Sequence, residues 1–202
     1  MYEYTDKILN YLNKYYIREF RRIKSVLLFD SLNKLEKAVD TCYDRIYKET
    51  RKRYKQIGEH YYDQEDSYIN YLWVDKFLNG FDPLTGYVFT NETDRKRARA
   101  FEEIASTFEN DNKDLARIAG NKAVDKCMRI WARQAKQFAD EITDAAVLDN
   151  LKAQGYKKVQ WHSEEDARVC DICYERNNKI YDIDNIPPKP HINCRCWLTG
   201  IK

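Results

Sequence analysis

Four of the chain's six cysteines and one of its three histidines fall within Val169–Trp197, VCDICYERNNKIYDIDNIPPKPHINCRCW. Cys170 and Cys173 form a CxxC pair, a gap that lets both sulfurs turn toward one ion or toward each other. After twenty intervening residues Cys194 and Cys196 form CxC, with His191 just upstream. Tetrahedral zinc accepts thiolate sulfur and imidazole nitrogen, so these five donors offer several ways to fill four places. The favoured set is Cys170, Cys173, His191 and Cys196, and Cys194 is the first residue to be exchanged into it. A redox dithiol is disfavoured because the tail lacks the βαβ context of thioredoxin-like sites. Two disulfides would need an oxidising compartment, and an iron–sulfur cluster a richer cysteine pattern.

A catalytic zinc keeps one position open for water, whereas a structural one is closed by four protein ligands. The donors here suffice to close the shell. Glu164, Glu165, Asp166 and Asp171 lie nearby, but HExxH and HxE are both absent. The expectation is a structural Zn2+, no catalytic residues, no enzyme activity and no small-molecule substrate. His162 is eight residues before Cys170 and stands outside the ligand spacing. Arg195 lies between two inward cysteines, so strand alternation points it away from the sulfurs, where Asp166 is a candidate partner.

These residues must be positioned by what precedes them. Ile8, Leu12, Tyr15, Tyr16, Phe20, Ile23 and Leu27 recur at three and four, predicting an amphipathic helix from Tyr4 to about Val26. Asp30-Ser31 can cap a second helix carrying Leu32, Leu35, Val39, Cys42, Tyr43, Ile46 and Tyr47, with Gly58 near its end. Cys42 reads as core, and His60 as a packing residue. Tyr68 to Phe77 offers another apolar stripe, and the loop 79–91, NGFDPLTGYVFTN, interrupts the helices. A further helix is expected from Asn91 or Thr93, with Ala98, Phe101, Ile104, Ala105 and Phe108 inward. Then come a short helix around Leu115, Ile118 and Ala119 and a long one from about Lys122 to Ala153. Cys127 lies on the inner face of the long helix, and Gly155 ends it. Beyond Gly155, Tyr156, Val159, Trp161, Ile180 and Tyr181 suggest short strands, and Ile186 to Pro190 must be extended. The fold class is therefore α+β and mostly helical: a helical domain over 1–154 and a small metal-binding module over 155–202.

With 202 residues and a net charge of +2, the chain can bury a core unaided, and its overall charge gives no general warrant for polyanion binding. Any such surface must be local. Two clusters qualify: Arg51, Lys52, Arg53 and Lys55, and Arg95, Lys96, Arg97 and Arg99. Solvated helix faces explain them, and contact with DNA, RNA or an acidic protein surface is the alternative. MYEYTDKILNYL lacks the features of a signal peptide and no apolar run approaches a membrane span, so a soluble intracellular protein without membrane contact is expected.

Gly155, Trp161, Asp166, Val169-Cys170-x-x-Cys173, the proline run and His191-x-x-Cys194-Arg195-Cys196 together resemble the C-terminal signature of the Mu F-like family of bacteriophage head morphogenesis proteins. The resemblance is best from about Asp140 to Leu198, and GYVFTNETDRKRAR is similar in character to minor head proteins. It implies a minor capsid protein of the procapsid or virion, assembled in the host cytoplasm. It further implies association with the portal, and with scaffold or major capsid protein, and a part in DNA packaging or ejection. The runner-up is a nucleic-acid-binding zinc adaptor, with a metalloenzyme behind it.

Overall fold

The computed structural model describes residues 3–29, 31–62, 89–191 and 194–202. The expected stripe at Tyr68 to Phe77 and most of the loop 79–91 lie outside these residues. Helices α1 (Glu3–Val26), α2 (Leu32–Tyr61), α3 (Phe89–Ala105), α4 (Lys113–Ala153) and α5 (Asp171–Arg176) dominate. They are joined by strands β1 (Lys158–His162), β2 (Ile180–Asp182) and β3 (Trp197–Ile201) in one antiparallel sheet of order β2-β1-β3. The chain is mostly helical with a small terminal sheet, as the sequence predicts.

The described residues fall into two compact units, 6–53 with 89–136, and 3–5 with 54–62 and 137–202. In the first, the apolar rows of the helices meet around Trp131. Tyr16 and Tyr43 approach its ring edge-on, with centroids 6.2 and 5.6 Å away, and Phe89 lies at 5.8 Å. Leu12, Phe20, Ile23, Leu35, Val39, Ile46 and Ile104 are buried in the same unit, each contributing about 2 kcal/mol by leaving water. Tyr16 Oη lies 2.7 Å from Thr50 Oγ1 and buried Glu19 faces Arg18, Arg22 and Arg45, whereas the Trp131 indole nitrogen is buried without a hydrogen-bond partner. Cys42 and Cys127 are core residues, as expected. Burial pushes both thiols up, Cys127 to about 11.

Several boundaries differ from expectation. The short and long helices before Gly155 are one helix, α4, of 41 residues. Gly120 does not break it: a Cβ there would come within 3.0 Å of Leu27 Cδ1, so the glycine permits close packing inside a continuous helix. Gly58 is likewise buried inside α2, which runs on to Tyr61. Helix α3 begins at Phe89, and its buried row is Phe89, Thr93, Ala100 and Ile104. Ala98 is exposed, contrary to expectation, because two residues before Ala100 it falls on the opposite side of the helix from that row.

In the second unit Thr5 Oγ1 lies 2.7 Å from Thr143 Oγ1, and the His60 ring stacks on Tyr4 at 3.9 Å. The end of α4 is closed by Gly155, at φ +82°: its N–H donates to Lys152 O and the Tyr156 N–H to Leu151 O. This paired capping satisfies carbonyls that the helix cannot, and turns the chain into β1. β1 is the central strand, with Val159 and Trp161 buried. β3, absent from the sequence expectation, pairs with it from Lys158↔Ile201 to His162↔Trp197. Gly200 brings β3 against the helix end: a Cβ there would lie 2.7 Å from both Leu151 Cδ2 and Tyr156 Cδ1.

Candidate metal centre

Cys170 occupies the N-cap of α5, with extended backbone, and its sulfur accepts from the Cys173 N–H at 3.4 Å. A cap residue and the third residue of a helix lie at the same helix end. The CxxC spacing therefore delivers both sulfurs to one place. Asn178, at φ 63°, then reverses the chain into β2, a conformation asparagine tolerates. Its N–H donates to Trp161 O at 2.7 Å, tying the helix turn to β1.

The second pair of cysteines lies on the chain that leads into β3. Cys194 and Cys196 are buried and Arg195 between them is half-buried, the alternation expected of extended chain. Arg195 turns away from the sulfurs and grips Asp166 with both guanidinium nitrogens, each 2.6 Å from a carboxylate oxygen. The proline approach is anchored on two sides. Arg176 Nη1 donates to Pro188 O at 2.7 Å while its guanidinium stands 5.2 Å from the Trp161 ring centre, and Lys189 Nζ pairs with Asp144 on α4 at 2.5 Å. Burial opposes the Lys189 charge, but Asp144 and Asp140 outweigh it and hold the ammonium above its ordinary range.

All five predicted donors converge. Cys170, Cys173 and His191 form one group with ligand atoms within 4.8 Å of one another, and Cys173, Cys194 and Cys196 form another. Cys173 belongs to both. Its sulfur lies 3.5 Å from His191 Nε2 and 3.5 Å from Cys194 Sγ. Cys173, Cys194 and Cys196 are buried, Cys170 is half-buried and His191 is exposed. All four cysteines of the cluster are free thiols. This Cys/His cluster can hold a metal ion.

The electrostatics fit a cation. Burial, then the contact with Cys170, pushes Cys173 up to about 12. The hydrogen bond to Cys194, then burial, drives Cys196 far above the usual thiol range. Cys194 is the acceptor of the group: the Cys196 thiol donates to it and, against the cost of burial, Cys173 and the charge of Lys189 help bring it down to about 5. Buried sulfurs so close cannot all ionise without a compensating positive charge. The Trp161 indole nitrogen is buried without a hydrogen-bond partner, beside Cys196, where it favours a thiolate. A metal-bound sulfur would satisfy it as acceptor.

The other predicted residues are dispersed. On α2, Arg53 is held by Glu49 at 2.7 Å and by the Tyr11 ring at 4.1 Å, Lys52 is exposed, and Arg51 and Lys55 are half-buried. On α3, Arg95 and Lys96 share buried Glu92, at 2.6 and 3.9 Å. Arg97 faces Asp94, Asp40 and Asp44, and Arg99 is exposed. His162 is not in the cluster: it stacks on Trp197 at 5.4 Å and meets Thr199 Oγ1 at 2.7 Å. Sequence reasoning did not anticipate Lys189 and Arg176 as anchors of the ligand loop. The proline run around Lys189 was the one available signal.

A long-helix protein ending in a strand-clasped Cys/His knot is the class that fold and site define. The family model for Phage Mu protein F like protein matches residues 93–199, just over half of the chain, and the chain belongs to that family. Membership points to bacteriophage head morphogenesis, and so to interaction with other virion components. No curated protein and no solved structure matches the chain. Among the described residues no helix is long and apolar enough to cross a membrane.

Proposed function

We propose that the chain is a structural minor head protein of the procapsid or virion, without catalytic activity, that associates with the portal and serves DNA packaging or ejection. Its terminal module, residues 155–202, is closed by a structural zinc ion held by four of Cys170, Cys173, His191, Cys194 and Cys196. The observation that carries this reading is the convergence of two Cys/His groups on Cys173 inside the segment matched by the family. Burial and the short Cys173–Cys194 separation support counting Cys194 among the ligands, together with Cys173 and Cys196. Cys170 and His191 then compete for the fourth place.

Four protein donors leave no position for a reacting water, which supports a structural ion over a catalytic one. Bound there, the cation neutralises thiolates and cross-links α5 to the chain entering β3. Arg176 and Lys189 hold the intervening loop, and Trp161 walls the sulfurs from water on the β1 side. Capture from phage-infected cells with the tagged chain tests the assembly role. Recovery of the portal protein is expected, and recovery of no head protein overturns it. Zinc content of the purified chain tests the module: a folded, metal-free protein under reducing conditions refutes the ion.

A further inference from the structure

Helix α4 is segregated by charge. Residues 113–136 carry seven basic and two acidic side chains, whereas 137–153 carry one basic and four acidic. In the basic part Lys122, Lys126, Arg129, Arg133 and Lys136 recur at alternating steps of four and three, which sets them in one row of the helix. The first four are exposed. At 1.5 Å per residue the row extends about 21 Å.

A second line of cations lies beside it. Lys126 Nζ pairs with Glu103 at 2.7 Å and Gln134 Nε2 reaches Glu92 at 3.3 Å, so α3 and α4 run antiparallel and Arg99 falls opposite the middle of the row. Arg95, Arg99 and Arg133 all crowd Lys96, and burial together with their repulsion keeps its ammonium below the ordinary range. Glu92 and Glu103 offset part of this charge. Among the described residues Arg99, Arg129 and Arg133 form no ion pair. Like charges held this close cost free energy, which a polyanion relieves.

We propose that this α3–α4 face binds duplex DNA through its phosphate backbone, without reading sequence. Duplex DNA presents one negative charge per about 1.7 Å of axis, so a row of this length spans several phosphates. Of the four cations on this face that form no ion pair among the described residues, Lys122, Arg99, Arg129 and Arg133, three are arginines, whose forks suit phosphate oxygens. None of the exposed large apolar side chains lies between 122 and 136, so the face lacks the apolar centre of a protein interface and the aromatic platforms of single-strand binders. The property belongs to the helices and does not depend on the zinc module or on portal association.

The test is fluorescence anisotropy of a labelled random-sequence duplex with the full chain, as a function of salt. The wild type should bind at about 50 mM salt and weaken at least tenfold by about 200 mM. Arg99→Gln/Arg129→Gln/Arg133→Gln should lose about tenfold in affinity and flatten the log–log salt slope by roughly 2–3. The charge-matched variant Lys14→Gln/Lys37→Gln/Lys48→Gln, at exposed positions on α1 and α2, should bind like wild type. Circular dichroism checks that each variant keeps its helices. No binding at low salt, equal losses in both triple variants, or stronger binding to polyglutamate than to DNA each overturns the proposal. None of these results bears on zinc content or portal capture, so the two readings fail separately.

Discussion

Arg195 and Asp166 form a two-pronged ion pair that links the CxC segment to the turn before Cys170, with both nitrogen–oxygen distances at 2.6 Å. The arginine sits between Cys194 and Cys196, and the aspartate leads the turn that delivers Cys170: its carbonyl accepts the Val169 N–H at 3.0 Å. The pair therefore fixes the separation of the two knuckles.

Arg195→Ala should loosen metal binding by about tenfold, the scale of losing a group that orients ligands. Arg195→Lys should restore little, because an ammonium cannot hold both oxygens. Competition with a colorimetric zinc chelator measures both. The Arg195 hydrogen bonds, then the Arg168 N–H, hold the Asp166 carboxyl well below its usual range. A depressed carboxylate contributes stability that is complete above its unfolded value of about 3.9 and is lost as pH falls through the folded value. The difference between wild type and Asp166→Asn should thus be constant from about pH 5 to 8 and shrink only in stronger acid, as chemical denaturation at each pH would reveal.

Metal removal should sort the six thiols. With the ion in place, alkylation is expected to be slow at every cysteine. After chelation Cys170 and Cys194, whose thiols are held down, should react first, and Cys42 and Cys127 should stay protected in the helical core. Mass spectrometry of alkylated peptides reads the order. Because Cys173 and Cys196 are raised, metal uptake must release protons and should weaken as pH falls.

Lys189 and Asp144 are both mostly buried, with side chains about 15% exposed. Asp144→Ala should cost about 2 kcal/mol by stranding the ammonium, while Lys189→Met/Asp144→Leu should cost less than that single change. Urea unfolding of the three proteins gives the comparison.

Gly200→Ala should cost about 1–3 kcal/mol, because the new methyl meets Leu151 and the Tyr156 ring at 2.7 Å. Gly155→Ala meets no atom within 4 Å, so any loss there, about 1 kcal/mol, comes from its left-handed backbone. Thermal melts should rank Gly200→Ala as the more damaging.

What was legible in the sequence was local. CxxC, HxxCxC and Gly155 announce themselves by spacing, and the rows of α1 and α2 by period. That Arg195 turns away from the sulfurs followed from alternation, which left Asp166 as one candidate partner. β3 was not legible because Trp197–Ile201 gains its identity only from pairing with β1, more than thirty residues earlier. The continuity of α4 was hidden because Gly120 serves Leu27, a contact no window along the helix contains. Basic clusters in α2 and α3 looked uniform in sequence, yet Arg53 pairs with Glu49 and Arg97 with Asp44 and Asp94. The cation row of α4 is spread through fifteen residues and forms no run.

The pairing of His162 with Trp197 closes the chain on itself just outside the first and last cysteines of the cluster. All five donors hang inside that clasp, so the entropy of bringing Cys170 near Cys196 is spent when the strands zip and is not charged to the ion. Affinity should therefore reside as much in β3 as in the sulfurs. A chain whose final strand is unzipped keeps every ligand and still presents only an open loop of thiols.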